Sequence, residues 1–276
     1  MAYAYVGSAN NYDTSGATNL AASYSPTVGN TLIVAAVTEA TTGISDGHNT
    51  YNAVGSTNGF GSSYYVTVVE ANVTTGGSLS IASSATTLGI YVVEYSGLAT
   101  SALISGSFES AAQGSPGAGA NVLATTTEPD VTSVPAMLWE FIVDVQSANG
   151  GTNPAPTVGT TTAFTSRTVG WVGGSSNQSA VAGDTRITSS GSYHATGGVN
   201  SSSQYDNFFI VAAAFVEGSA SGPSNQSLPL TGVALAPLAW VIRRRQIRAR
   251  ERNAQLRHWK RDESSGLILP DYKKVA

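Results

Sequence analysis

Short runs of β-forming residues recur along the first 218 residues, and this pattern limits the fold more than any other feature of the chain. Each run is rich in Val, Ile, Tyr, Phe or Thr and is bounded by Gly, Ser, Asn or Pro clusters. No segment before residue 220 repeats its apolar residues with the helical period of about 3.6. The pattern therefore predicts an all-β fold, an antiparallel β-sandwich or a jelly roll. The clearest runs are Thr31–Thr38, Tyr64–Val73, Ser78–Ala82, Gly89–Tyr95, Met137–Val145 and Phe208–Glu217.

The composition of individual runs predicts where they lie. Thr31–Val37 is continuously apolar, which is typical of a central strand between two packed layers. The Gly-rich stretches 111–120 and 147–160 are predicted to be long surface loops. Because Phe208–Glu217 needs partner strands from earlier in the chain, we predict one β domain over residues 1–218.

Charge is divided unequally along the chain. Residues 1–220 hold two basic residues, Arg167 and Arg186, against thirteen acidic ones, whereas residues 221–276 hold eleven basic residues against four acidic ones. The asymmetry indicates two parts with different tasks. A body that contains no Lys does not offer a basic face to phosphates, so nucleic acid is not an expected partner of the body.

The C-terminal part is predicted to be a flexible linker over 219–227 followed by a basic helical tail over 228–276. Pro237 can open a helix, and good helix formers without Gly or further Pro continue to Glu263, a length of roughly 40 Å. An apolar segment follows this helix. The residues expected to bind a partner are Leu238, Ile242, Arg248, Arg250, Leu256, Trp259, Leu267, Ile268 and Leu269.

Three interpretations of this tail compete. It docks on a partner protein or self-associates, it contacts nucleic acid through its arginines and Trp259, or it is a solvated basic helix. An apolar terminal segment has little reason to exist on a free monomer, so docking is favoured.

Targeting signals are weak. The first twenty residues lack the basic and apolar regions of a secretory signal, and the apolar stretch 228–242 is too short to span a membrane, which takes about 20 residues. The same stretch begins LPLTG and is followed by three arginines, which resembles a sortase sorting signal.

Candidate site residues are few. The sequence contains no Cys, which excludes disulfides, thiolate metal sites and cysteine nucleophiles, and no cofactor is expected. Asp46 and Asn49 are candidate ligands for a metal or a sugar, although Asp46-Gly47-His48-Asn49 is also ordinary turn chemistry.

Two further sets of residues carry alternative hypotheses. Glu140 and Asp144 lie four apart on one face of a strand. They are either the two acids of a glycosidase site or solvent-facing positions between core residues. A set of aromatic residues offers a stacking platform for a glycan or, more commonly, fills a core or forms cross-strand pairs. The set is Trp139, Trp171, Tyr64, Tyr65, Tyr91, Tyr95, Tyr193 and Tyr205.

Several segments together resemble a known type of module. They are Gly29–Ala35, Ile44–Tyr51, Ile90–Leu98, Gly183–Arg186, Gly191–Thr196 and Phe209–Phe215. In this order they resemble a Ser/Thr/Gly-rich β-sandwich module of tailed-phage virion proteins and bacterial surface proteins, over roughly residues 25–217. The resemblance implies structural or adhesive work and no catalytic set.

The resulting functional expectation is a structural virion protein of a tailed phage, a decoration, neck or tail component. It would be assembled in the host cytoplasm, form a homo-oligomer, and bind other virion proteins through its C-terminal tail. A host-surface glycan is a further candidate partner, whereas nucleic acid and a membrane span are not expected. The alternatives are a secreted carbohydrate-binding adhesin anchored at its C-terminus and, third, a glycan hydrolase.

Overall fold

A computed structural model describes residues 2–58, 64–114, 119–124, 129–146, 157–158, 164–167, 178–201 and 206–218. These residues form strands in antiparallel pairs and contain no helix, so the predicted all-β, antiparallel class is confirmed. The linker and the tail predicted over 219–276 lie outside the described residues. We call the strands from Ala4 to Ser96 the first half and those from Leu98 to Glu217 the second half.

The first half contains eight strands. They are β1 (Ala4–Thr18), β2 (Ala21–Tyr24), β3 (Thr31–Thr38), β4 (Ile44–Ser45), β5 (Asn52–Asn58), β6 (Tyr65–Asn72), β7 (Leu79–Ser83) and β8 (Thr86–Ser96). Five of them form a sheet in the order β1-β8-β3-β6-β5, which we call sheet I. The other three form a small sheet in the order β2-β7-β4.

The second half contains the remaining described strands. They are β9 (Leu98–Leu103), β10 (Glu109–Gly114), β11 (Gly119–Ala124), β12 (Asp130–Val131), β13 (Ala136–Gln146), β14 (Thr157–Val158), β15 (Thr165–Arg167), β16 (Gln178–Ile187), β17 (Gly191–Ser192), β18 (Thr196–Ser201) and β19 (Asp206–Glu217). Sheet II has the order β10-β19-β13-β16-β15, and β9 also pairs with β19. Two small sheets have the orders β11-β18-β14 and β12-β17.

The second half repeats the strand order of the first. If β9 and the β12–β17 pair are set aside, both halves join their first, eighth, third, sixth and fifth strands in one sheet. Both also join their second, seventh and fourth strands in another. The added β9 pairs with β19 beyond the end of β10, so β9 and β10 together take the place that β1 has along β8.

The main core lies between sheets I and II. Alternate residues of the central strands point into it, as the two-residue period of a strand requires. On sheet I these include Ile33, Ala35, Tyr91 and Val93, and on sheet II they include Trp139, Phe141, Val211 and Phe215.

The outer faces of both large sheets are covered as well. Leu32, Val34 and Ile90 of sheet I pack against Ala22 and Ile81 of the small β2-β7-β4 sheet. On sheet II, Ile142 and Ile210 lie in one outer cluster and Leu138 in another. Burial on both faces explains the continuously apolar sequence of β3, all of whose residues are buried.

Both loop predictions were wrong in part, since 157–158 of the stretch 147–160 form β14. Residues 111–120 were predicted to form a surface loop, but 111–114 belong to β10 and 119–120 to β11. Small residues with weak β propensity occupy this strand because β19 provides the pairing partner, which sequence composition does not reveal.

Candidate functional site

Asp46 and Asn49, the predicted ligands, form a hydrogen-bonded clamp in the connection between β4 and β5. Asp46 Oδ1 accepts hydrogen bonds from the backbone N–H groups of His48 (2.8 Å) and Asn49 (2.7 Å). Asp46 Oδ2 accepts from Asn49 Nδ2 (2.7 Å) and from the Tyr51 hydroxyl (3.0 Å). Four protein donors therefore surround the carboxylate.

Asn49 joins this clamp to the connection between β6 and β7. Its Oδ1 accepts from the backbone N–H groups of Thr74 (2.8 Å) and Thr75 (3.0 Å), and its Nδ2 donates to the Thr75 carbonyl. Burial by itself raises the pKa of Asp46, but the hydrogen bonds from Asn49, His48 and Tyr51 outweigh it and hold the pKa below its ordinary value. The arrangement is that of a turn which fastens two loops together.

Glu140 and Asp144 share one face of β13, as the two-residue period predicted. The expectation that they face solvent was wrong, because both side chains are completely buried. The inward residues of β13 are Trp139, Phe141 and Val143, so Glu140 and Asp144 lie on the outer face of sheet II. The additional layer over that face buries them, and the sequence of β13 alone does not predict this layer.

Buried acids are common in this body. The structure describes the burial of eleven acidic residues before residue 220, and six of these are at most 5% exposed. The formal charge of the body is therefore a poor guide to its surface, since much of it lies inside. The six are Glu70, Glu94, Glu140, Asp144, Asp184 and Glu217.

Asp184 is the centre of a polar cluster between the two large sheets. It lies on β16 and is 1% exposed. The hydroxyls of Tyr3 and Tyr95, from the first half, each donate to it at 2.9 Å. Arg167 of β15 donates to it from Nε (2.5 Å) and from a terminal nitrogen (3.0 Å), a two-point ion pair.

The guanidinium of Arg167 also lies over the ring of Tyr5, with its carbon 4.8 Å from the ring centroid. Hydrogen bonding to Asp184 raises the pKa of Arg167, and burial followed by the charge of Asp184 raises the pKa of Tyr3. These shifts keep Arg167 charged and the Tyr3 hydroxyl protonated. The cluster links β1 and β8 of the first half to β15 and β16 of the second.

Arg186 makes the second ion pair. It is half exposed and donates to Glu217 from Nε (2.5 Å) and a terminal nitrogen (2.8 Å). Both basic residues of the first 220 are thus paired with buried carboxylates of sheet II. Sequence analysis did not assign them a role, although a body with two arginines and no Lys is itself a signal that each arginine has a specific partner.

Glu94 serves the outer face of sheet I. Its Oε2 accepts from the Tyr24 hydroxyl (2.7 Å), and its Oε1 accepts from Thr27 N–H (2.9 Å) and Asn30 Nδ2 (2.5 Å). Glu94 therefore fixes the connection between β2 and β3 on strand β8.

Aromatic residues proposed for glycan stacking lie largely in the core. Trp139, Tyr91 and Tyr95 are at most 1% exposed, and Trp139 stacks on Phe141 with centroids 6.2 Å apart. Tyr64, Tyr65 and Tyr193 are half-buried. The remaining candidates, Trp171 and Tyr205, lie outside the described residues, as do the nine tail residues expected to bind a partner.

Both halves of the body end at the same place. The Gly218 N–H, just after β19, donates to the carbonyl of Gly97, just after β8, at 2.7 Å. A Cβ on Gly97, whose φ is +76°, would lie 2.8 Å from the carbonyl oxygen of Ala2. The last described residue of the body therefore lies beside the residue that follows the last strand of the first half.

Scans against protein-family models, curated proteins and solved structures found no match to this chain. Within the described part of the chain, no helix is long and apolar enough to cross a membrane. In the same residues, no three His, Asp or Glu side chains come together as a metal-binding group.

Proposed function

We propose that the protein is a structural component of a tailed-phage virion that displays a β body and is attached through residues 228–276. The observation that carries the proposal is the hydrogen bond between Gly218 and Gly97, which places the last described residue of the body beside the end of its first half. A tail that continues from this point can hold the body there and leave its other surfaces displayed.

The architecture adds support. We propose that each half is a jelly roll, because its eight principal strands are joined in the order of two Greek keys. Jelly rolls occur in viral capsid and lectin domains, and this analogy of fold is compatible with both the virion and the adhesin hypotheses. The first half is joined to the second at the buried carboxylate of Asp184, which accepts from the hydroxyls of Tyr3 and Tyr95 and is paired with Arg167.

The rival functions receive less support from the site. A glycan hydrolase needs two carboxyl groups that reach a substrate, whereas Glu140 and Asp144 are buried beneath a second layer. The hypothesis of a carbohydrate-binding adhesin is weakened because Trp139, Tyr91 and Tyr95 are buried and do not offer a surface for glycan stacking. It retains the half-buried tyrosines, so it stays the second hypothesis.

Particle incorporation tests the proposal. Mass spectrometry of purified virions should detect the full chain in many copies per particle, and a chain ending at Ser219 should fold yet be lost from the particles. Virions that lack the full chain, together with specific binding of the protein on a glycan array, would favour the adhesin instead.

A further inference from the structure

The two halves contribute carboxylates at corresponding places in the core between sheets I and II. Glu70 lies on β6, the sixth strand of the first half, opposite Ile33 of β3. Asp184 lies on β16, the corresponding strand of the second half, opposite Trp139 of β13. Ile33 and Trp139 both point into the core between the sheets, and so do the two acids paired with them.

Each acid also accepts a hydrogen bond from a residue of the other half. Glu70 accepts a hydrogen bond from the backbone N–H of Leu103, on β9. Asp184 accepts one from the hydroxyl of Tyr3, which immediately precedes β1. The repeated topology thus produces two reciprocal contacts between the halves.

The two acids differ in whether a positively charged side chain lies beside them. Asp184 has the guanidinium of Arg167 on its two oxygens. Glu70 is 3% exposed, and its Oε2 has no hydrogen-bond partner among the described residues.

No charged neighbour in the described region compensates Glu70. The strands around it, β3, β5 and β9, have the sequences TLIVAAVT, NAVGSTN and LATSAL, which contain no titratable side chain. On β6 itself, Tyr65 is the other titratable residue. Glu217 of β19, which lies opposite Leu98 of β9, is held by Arg186, and Asp184 on the same inner face of sheet II is held by Arg167.

Strand β9, which contacts Glu70, is the element that can open when the charge of Glu70 changes. It pairs with β19 only at Leu103–Phe215 and Leu98–Glu217, with an irregularity between these pairs. Ser101, in the middle of β9, has a φ of +55°, which costs free energy for a residue with a side chain. A strand with few ladder hydrogen bonds and local strain opens more easily than its neighbours.

We propose that Glu70 is a proton-controlled contact between the two halves, which holds β9 on β6 when protonated and loosens β9 when ionised. An uncompensated buried carboxylate gains free energy by reaching water, and the release of β9 removes an element that contacts Glu70. The proposal concerns regulation of the body and does not depend on the proposed virion function.

The direction of the pH effect follows from burial. Desolvation raises the pKa of Glu70, and the Leu103 N–H only partly offsets it. A carboxyl whose folded pKa is raised supports folding most below its unfolded pKa of about 4.3, and this support is lost as pH rises through the folded pKa. The halves should therefore be held together more tightly in acid.

Hydrogen exchange on the full-length protein tests the mechanism. Protection of peptide 98–104, corrected for the intrinsic pH dependence of exchange, should fall about tenfold or more between pH 4 and pH 8 as Glu70 ionises. Glu70→Gln should abolish this fall, because the amide stays neutral and still accepts from Leu103. The matched control, Glu39→Gln, removes an exposed acid and should behave as the wild type.

The same measurement can overturn the proposal. Protection of 98–104 that is constant with pH in the wild type would do so, as would a fall that persists in Glu70→Gln. If Glu70→Gln does not fold, Glu70→Leu provides the second variant, since it removes the ionisable group and keeps an apolar volume in the core. A pH-dependent fall in the Leu variant contradicts the mechanism equally.

Discussion

Tyr95 and Asp184 lie on different sheets, and the Tyr95 hydroxyl donates to Asp184 Oδ2 at 2.9 Å in the buried interior. With Tyr3 and Arg167, this contact gives Asp184 two hydroxyl donors from the first half and one ion pair from the second. A charge in such a position is stabilised only while its partners remain.

Asp184→Asn should destabilise the body by about 3 kcal/mol, because Arg167 then loses the charge that it neutralises in a largely buried place. Tyr95→Phe should cost only about 1 kcal/mol, the net value of one hydrogen bond. Urea unfolding of both variants at pH 7 measures the difference. Asp130→Asn, at an exposed site bonded to Ser192, is the control and should change the free energy of unfolding by less than about 0.5 kcal/mol.

Asp46 should stabilise the body at neutral pH and lose this effect in acid. Its pKa is lowered in the folded state, so its contribution is present above the unfolded pKa of about 3.9 and is lost as pH falls through the folded pKa. Asp46→Asn should therefore cost about 1 to 2 kcal/mol at pH 7 and less at pH 3. Chemical unfolding at the two pH values tests this, and a cost that is equal at both would refute the assignment.

Metal removal should leave the body unaffected. Both oxygens of Asp46 already accept hydrogen bonds from protein donors, and the Oδ1 of Asn49 accepts from Thr74 and Thr75. The thermal midpoint should be the same with and without EDTA. A decrease of many degrees that calcium reverses would show that these two residues hold a cation after all.

Glu140 and Asp144 should matter for stability and not for glycan processing. Both are fully buried on the outer face of β13, so Glu140→Gln and Asp144→Asn should each lower the free energy of unfolding by about 1 to 3 kcal/mol. Any hydrolytic activity of the preparation should be the same in wild type and variants. Loss of activity without loss of stability would support the hydrolase hypothesis.

The sequence predicted individual strands well and their arrangement poorly. Thr31–Thr38 has the predicted bounds, because eight consecutive buried residues produce an unmistakable apolar run. The repeated strand order was not predicted, since pairings such as β1 with β8 join residues about eighty positions apart and leave no local pattern. The weakly apolar β9 and β10 were missed for the same reason.

Of the candidate sites, the sequence predicted one and missed another. The turn chemistry at Asp46 was recognisable because all but one of its clamp contacts to the carboxylate come from within three residues. The Asp184 cluster was not, because its partners at positions 3, 95 and 167 are brought together only by the packing of the two sheets.

Attachment of the protein should depend on apolar residues of the tail more than on its arginines. The body carries far less surface charge than its formal balance indicates, because six of its acids are buried and two of these are paired with Arg167 and Arg186. Attraction between body and tail charges is therefore a weak source of affinity. Charge complementarity generally orients the binding partners and raises the rate of association more than it raises affinity. Burial of a few hundred Å² of apolar surface at about 25 cal/mol per Å² gives several kcal/mol before ordering costs.

Leu256→Ala combined with Trp259→Ala should accordingly weaken incorporation into particles more than Arg248→Gln combined with Arg250→Gln. Copies per virion, measured by quantitative mass spectrometry at two salt concentrations, compare the pairs directly. Full incorporation of a chain ending at Ser219 would show that the tail is not the anchor. A dominant effect of the arginine pair, with binding lost at modest salt, would instead indicate a nucleic-acid or purely electrostatic contact, because such contacts are screened over about 10 Å at 0.1 M salt.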